Sequence, residues 1–233
     1  MRFPTHLSLR RALIVAATAV CLVVPASVSA APQVQSDSPA ESGGPPILFP
    51  VDTPITEMID SWGFPRSGGR RHVGTDIMAP QMTPIRAAMG GEVIRAHGEE
   101  CQDGIPCSSY TLAIAGDDGR GYFYVHLNND TPGRPQGCDG LGGLRHAYAP
   151  ALLRHHALNG TFEGARVEAG DLIGYNGSSG NASCGQDHLH FEIWSTPDWG
   201  SMTNINPYPE LADALEAESG AARSALEVRS LLR

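Results

Sequence analysis

The sequence predicts a mainly β fold: a small antiparallel domain of short strands, followed by a helical tail. Three observations carry this expectation. The 233 residues include 27 Gly and 18 Pro, a density of breakers that favours turns over long helices. Several short segments alternate in character or are rich in aromatic and β-branched residues, as strands are. Two of them flank Gly116-Asp117-Asp118-Gly119, which has the composition of a hairpin loop. The length suits one domain with appendages, and a hydrophobic content of 41% is compatible with a packed core.

The chain opens with a secretory pattern over residues 1–30. Arg2, Arg10 and Arg11 precede an apolar run, Ala12 to Val24, that is too short to span a bilayer comfortably. Val28-Ser29-Ala30 supplies a small-x-small cleavage site, with cutting expected after Ala30 or Ala31. This implies a mature form without an integral membrane segment, located outside the cytoplasm: secreted, periplasmic or associated with the cell wall. Arg10-Arg11 leaves twin-arginine export open beside the general route. Residues 31–46 are rich in Pro, Ser, Gln and Gly and read as a flexible linker. The domain is expected over 47–209, with a long insert at 128–162 and a helical tail at 210–233. Cys101, Cys107, Cys138 and Cys184 make an even set in an exported chain, which favours disulfides. Cys101–Cys107 with Cys138–Cys184 is the preferred pairing.

Within the domain, Gly91 to His97, Ser109 to Ala115 and Gly121 to Leu127 read as strands. Alternation in the third puts Phe123, Val125 and Leu127 on the core face. It puts Tyr122, Tyr124 and His126 toward a groove or solvent. In the insert, Pro150 to Leu158 reads as a short helix, with Pro at its first position. Strand and turn patterns resume over Val167 to Tyr175. Leu211, Leu215, Leu226 and Leu231 carry the helical pattern of the tail.

The chemistry concentrates in two places. Gly185 to Trp194 reads as a strand in which His188 and His190 share one face, two residues apart. His72-Val73-Gly74-Thr75-Asp76 offers one nitrogen and one carboxylate. On a regular strand that pair would share a face, with Gly74 leaving room between them. Three ligands drawn from His and a carboxylate, with a fourth position for water, describe a catalytic zinc site. Further imidazoles such as His126 then have protons to handle. For His97, His146, His155 and His156 the expectation is a surface or packing role.

These pieces together resemble the lysostaphin/LytM-type zinc endopeptidases, which cut peptidoglycan. The carrying residues are His72 to Asp76, Tyr124 to Leu127, Val167 to Gly174, and His188 to Ile193. The resemblance covers roughly residues 60–127 and 163–208. It implies a small antiparallel β structure with an open groove across it. It implies that His72, Asp76 and His190 hold Zn2+, and that His126 and His188 are the catalytic pair handling protons. Peptidoglycan stem peptides or cross-bridges become the expected partners. Glu192 is expected in a supporting position behind the ligands, and Tyr124 at the substrate. The 128–162 insert departs from the compact family core and is expected to wall the groove. A non-catalytic relative that binds peptidoglycan or activates another hydrolase stays open as the alternative.

Charge excludes one class of partner. The chain carries a formal net charge of −9, its sixteen basic residues are all Arg, and no basic stripe runs through it, so nucleic acid is not the expected partner.

Overall fold

The computed structural model describes residues 46–52, 54–97, 109–128, 144–182 and 185–231. Their strands are β1 (Glu57–Met58), β2 (Thr75–Met78), β3 (Pro84–Arg86), β4 (Gly91–His97), β5 (Tyr110–Gly116), β6 (Gly121–Leu127), β7 (Arg166–Val167), β8 (Leu172–Tyr175), β9 (His188–Trp194) and β10 (Asn204–Ile205). Helices α1 (Leu144–Ala147) and α2 (Pro150–Asn159) lie between β6 and β7, and α3 (Tyr208–Leu231) follows β10. The main sheet runs β1-β2-β9-β6-β5-β4-β7, with β10 added to β9, while β3 and β8 form a second, two-stranded sheet. The pairings are antiparallel. The fold is mainly β, as composition and periodicity predict.

β9 shows why the sheet has two distinct faces. Leu189, Phe191 and Ile193 point into the core and are each 0% exposed. Burying side chains of this size contributes about 1.5–3 kcal/mol each. His188 and His190, of opposite parity, are left on the other face. Ile77, Leu112, Ile114 and Ile173 close the same core, and Phe49 and Val51 join it from the N-terminal segment.

β6 corrects the predicted facing. Tyr122 and Tyr124 are the buried residues, both 0% exposed, while Phe123 and Val125 line the surface groove. Two tyrosines can enter the core because their hydroxyls find partners. Tyr124 Oη accepts the Ala88 N–H at 2.8 Å, and Tyr122 donates to Asp118 Oδ2 at 2.6 Å. Tyr124 is therefore a core residue and not a substrate contact.

The phase of the strand then slips. Tyr110 pairs with Leu127 but Leu112 pairs with Tyr124, so β6 carries one extra residue there. His126 takes φ +64°, the left-handed region, at this bulge. The slip sends Leu127 into the core, 0% exposed, and His126 into the groove. Bulges re-aim side chains in this way beside functional sites.

Part of the insert packs as core. α2 starts with Pro150 and ends on Gly160 at φ +75°, whose N–H reaches His156 O at 2.8 Å. Tyr148, Leu152 and Phe162 are buried in the cluster. Tyr148 donates its hydroxyl hydrogen to the Thr111 carbonyl at 2.8 Å. Tyr148 and His156 both pack on the Phe162 ring.

The tail helix begins at Tyr208, two residues before the expected start. Leu211 and Ala214 bury its first turns. Among the described residues no helix is long and apolar enough to cross a membrane. The leader, the linker up to residue 45, all four mature cysteines with both proposed pairings, and 129–143 lie outside the described residues.

Candidate metal centre

β2 and β9 are neighbours in the sheet, and their register places Asp76 directly opposite His190. Cross-strand partners on one face hold their Cβ atoms about 4.5–5.5 Å apart, within reach of a shared ion. His72 arrives from outside the sheet. It stands three residues before β2 rather than on it, at the end of a short hairpin closed by Gly63 N–H to His72 O and His72 N–H to Phe64 O, both 2.9 Å. Gly68 and Gly69 make the hairpin's turn at φ +72° and +74°.

The three groups converge tightly. His72 Nε2 lies 3.0 Å from His190 Nδ1 and 3.1 Å from Asp76 Oδ1, and His190 Nδ1 lies 2.8 Å from the same oxygen. Zinc bonds of about 2.0–2.2 Å at tetrahedral angles separate donors by roughly 3.3–3.6 Å. Outward movement of a few tenths of an ångström would seat the ion. Gly74 makes the approach possible: a Cβ there would meet Phe191 O at 2.5 Å and His190 Nε2 at 2.8 Å.

The outer nitrogens fix the tautomers. His72 Nδ1 faces the Ser61 carbonyl at 3.1 Å, His126 Nδ1 the Ser179 carbonyl at 2.7 Å, and His188 Nδ1 the Gln186 carbonyl at 2.8 Å. His190 Nε2 faces Glu192 Oε1 at 3.0 Å. Carbonyls and carboxylates only accept, so the outer nitrogens of His126, His188 and His190 carry a proton and donate it, while His72 Nδ1 also meets the Ser61 hydroxyl at 2.9 Å, which can give or take a proton. For His126 and His188 this leaves Nε2 as a lone pair when the ring is neutral. His72 Nε2 and His190 Nδ1 face each other and the same carboxylate oxygen. Without an ion these three atoms are held together by shared protons, and with those protons gone they offer a cation three donors.

The electrostatics follow. Burial works to raise the Asp76 carboxyl, but hydrogen bonds from His190 and His72 outweigh it and hold Asp76 well below the usual carboxylate range. Arg66 adds an ion pair to the other oxygen, Oδ2, at 2.6 Å. Burial works to lower His190, but Asp76 and Glu192 outweigh it and raise the ring to about 9. His126 goes the other way, lowered to about 4 by burial first and by its neighbour His188 second. It is therefore neutral across the physiological range and enters as a proton acceptor.

His126 and His188 stand together, with ring centroids 4.7 Å apart, and His188 Nε2 is 3.9 Å from Asp76 Oδ1. All five residues singled out from the sequence thus line one groove, with Phe123 and Val125 on its floor and Arg66, Arg70 and Arg71 on its lip. No residue of 144–162 lines it, so the described part of the insert is not the expected wall. Behind the ligands, Glu192 Oε2 accepts from Trp194 Nε1 at 2.7 Å and Asn204 Nδ2 at 2.8 Å.

Sequence reasoning missed several supporting groups. Ser61 pins His72. Ser179 pins His126 through its carbonyl, while its hydroxyl donates to Leu127 O at 2.6 Å and accepts the Tyr110 N–H at 2.9 Å across the bulge. Arg66 and Asn204 were also missed. Only Arg66, one of three Arg in six residues, left a sequence signal.

No family model matches the chain, and no curated protein sequence matches it. Similar solved structures include a protein from Ruminococcus gnavus described as a glycyl-glycine endopeptidase lytM, 26% identical, covering 74% of this chain and 62% of its own, at a TM-score of 0.49. The chain thus spans less than two thirds of that relative. The catalytic domain of the antimicrobial peptidase lysostaphin from Staphylococcus simulans is 20% identical, covering 67% of this chain and 92% of its own, at 0.43. A zinc-containing peptidase from Vibrio cholerae is 18% identical, covering 69% and 39%, also at 0.43. With TM-scores below 0.5, the chemistry is read from this chain's own residues.

Proposed function

We propose that this protein is an exported zinc metalloendopeptidase that hydrolyses peptide bonds in peptidoglycan stem peptides or cross-bridges. One observation carries the reading. Three inward ligand atoms, His72 Nε2, His190 Nδ1 and Asp76 Oδ1, lie within 3.1 Å of one another, with the outer nitrogens of both rings committed elsewhere. That donor set suits zinc, which takes imidazole and carboxylate ligands and keeps a fourth position open in catalytic sites. The resemblance of His72 to Asp76 and His188 to Ile193 to the lysostaphin/LytM-type enzymes supplies the substrate class.

His72, Asp76 and His190 would hold the ion. Bound there, zinc supplies a Lewis acid and a water whose pKa is lowered to about 7. The remaining work belongs to the chain. His126 and His188, each with Nδ1 donating to a carbonyl, keep Nε2 free to take a proton from an attacking water. Once charged, the same nitrogens can stabilise an oxyanion or return the proton to a leaving amine. Phe123 and Val125 give the groove an apolar floor against which a peptide can lie.

The test separates the two roles. Asp76→Ala is expected to strip zinc, measured by elemental analysis of the purified mature protein. His126→Ala is expected to retain zinc and lose turnover by about 10²–10⁴-fold on purified cell wall, the usual contribution of a positioned proton-transfer group. Equal zinc loss in both variants would overturn the division of labour. Failure of the parent protein to take up zinc would overturn the reading itself.

A further inference from the structure

We infer that the groove selects peptides carrying a free carboxylate beside the scissile bond, with Arg70 and Arg71 as the specificity-determining residues. This rests on the metallopeptidase reading of the same groove. It separates this chain from enzymes whose substrate is an uncharged glycine bridge.

The first argument is local charge against global charge. The chain carries −9 overall, yet Arg66, Arg70 and Arg71 all line the lip of the groove. The lining carboxylates, Asp76 and Glu192, are both occupied. Asp76 is held by His72, His190 and Arg66, and Glu192 by His190, Trp194 and Asn204. Neither neutralises the other two guanidiniums.

The second argument concerns partners. Arg86, Arg120 and Arg166 each pair with a carboxylate: Asp52, Asp118 with Glu210, and Asp117. Arg70 donates to Ser67 O at 3.2 Å, and Arg71 donates to Gly63 O at 3.0 Å. Among the described residues neither has a carboxylate partner. Both are exposed, and each keeps further N–H groups in the planar fork that grips a carboxylate with two bonds.

The third argument is position. Arg70 and Arg71 belong to the same hairpin that delivers His72. Arg66 N–H closes its turn on Arg70 O at 3.0 Å, and Arg71 bridges Pro65. A carboxylate seated on this lip is therefore held by the element that places a metal ligand. Its distance from the reacting centre is fixed by that hairpin, as positioning catalysis requires.

The test measures binding and needs no turnover. Zinc-loaded mature protein with His188→Ala, which blocks cleavage, is titrated calorimetrically with acetyl-Lys-D-Ala-D-Ala as the free acid and as its C-terminal carboxamide. The free acid is expected to bind about tenfold tighter, with the gap shrinking as salt screens it. In the R70Q/R71Q double variant the gap is expected to fall within about twofold, with zinc content unchanged. The Gln side chains keep the lip polar while removing its charge, and circular dichroism checks the fold. Equal affinity for the two peptides, no binding of either, or a gap that survives in R70Q/R71Q overturns the inference. A parent that takes up no zinc yet discriminates the two peptides sinks the metallopeptidase reading and leaves the carboxylate-selective lip standing.

Discussion

Gly74 illustrates how much of the site is decided by single residues. It lies between two proposed ligands, and the space a side chain needs there is filled by the Phe191 carbonyl and the His190 ring. Gly74→Ala must push His190 away from Asp76 or open the β2–β9 pair. We expect zinc affinity to fall by about 10–100-fold, the usual cost of disturbing the groups that orient metal ligands. Competition with a chromophoric chelator measures this, and unchanged affinity would show that the ring has room to move. The five chemical residues and this glycine are legible in the sequence because their types and spacing are unusual. The atoms that pin the imidazoles are not. Three of the four rings meet a backbone carbonyl, of Ser61, Gln186 or Ser179, and every residue possesses one; His72 meets the Ser61 hydroxyl as well. Only folding decides which carbonyl faces a ring.

At the scale of elements, β4, β5, β6 and α2 fall where periodicity and turn chemistry place them, within one residue, and β9 starts three residues after the expected Gly185. The facing of β6 does not, and the reason is physical. Parity counting assumes an unbroken pleat, and the bulge at His126 breaks it without a glycine to announce it. A non-glycine residue in the left-handed region costs about 1–2 kcal/mol. The groups around Ser179 hold it there, and the return is a catalytic candidate turned from the core into the groove. Parity also ranks Phe, Val and Leu as better core than Tyr. It cannot foresee that Asp118 and Ala88 satisfy the Tyr122 and Tyr124 hydroxyls. Strand order was equally hidden: that β9 lies between β2 and β6, joining distant segments into one site, is a property of topology rather than of any local stretch.

For the whole molecule, one buried charge network ties the last helix to the sheet. Arg120 donates to Asp118 Oδ2 at 2.6 Å and to Glu210 Oε1 at 2.8 Å, with side chains only 11%, 3% and 7% exposed. Removing the cation leaves two carboxylates facing each other in a poorly solvated place. Arg120→Met is expected to cost about 3–5 kcal/mol, measured by urea denaturation. A loss below about 1 kcal/mol would show that the tail is held by apolar packing through Leu211, Ala214 and Leu215. Acid should weaken the same joint. Burial works to raise Asp118, but bonds from Tyr122 and Arg120 outweigh it and hold its carboxyl below 3.8. A carboxyl lowered in the folded state contributes stability that is whole above pH 3.8 and is lost as pH falls through its folded value.

The indole of Trp194 gives the molecule an optical gauge of its own. Its N–H bonds the carboxylate that steadies His190, so a cation arriving at that ring changes the field felt by the chromophore. Adding zinc to chelator-stripped protein should therefore shift the emission of Trp194 with one-to-one stoichiometry, and replacing the half-exposed Trp199 beside it by Phe should leave that response in place. A flat signal during proven metal uptake would mean that Glu192 does not relay the charge; a moving one would let occupancy be followed in real time without any added dye.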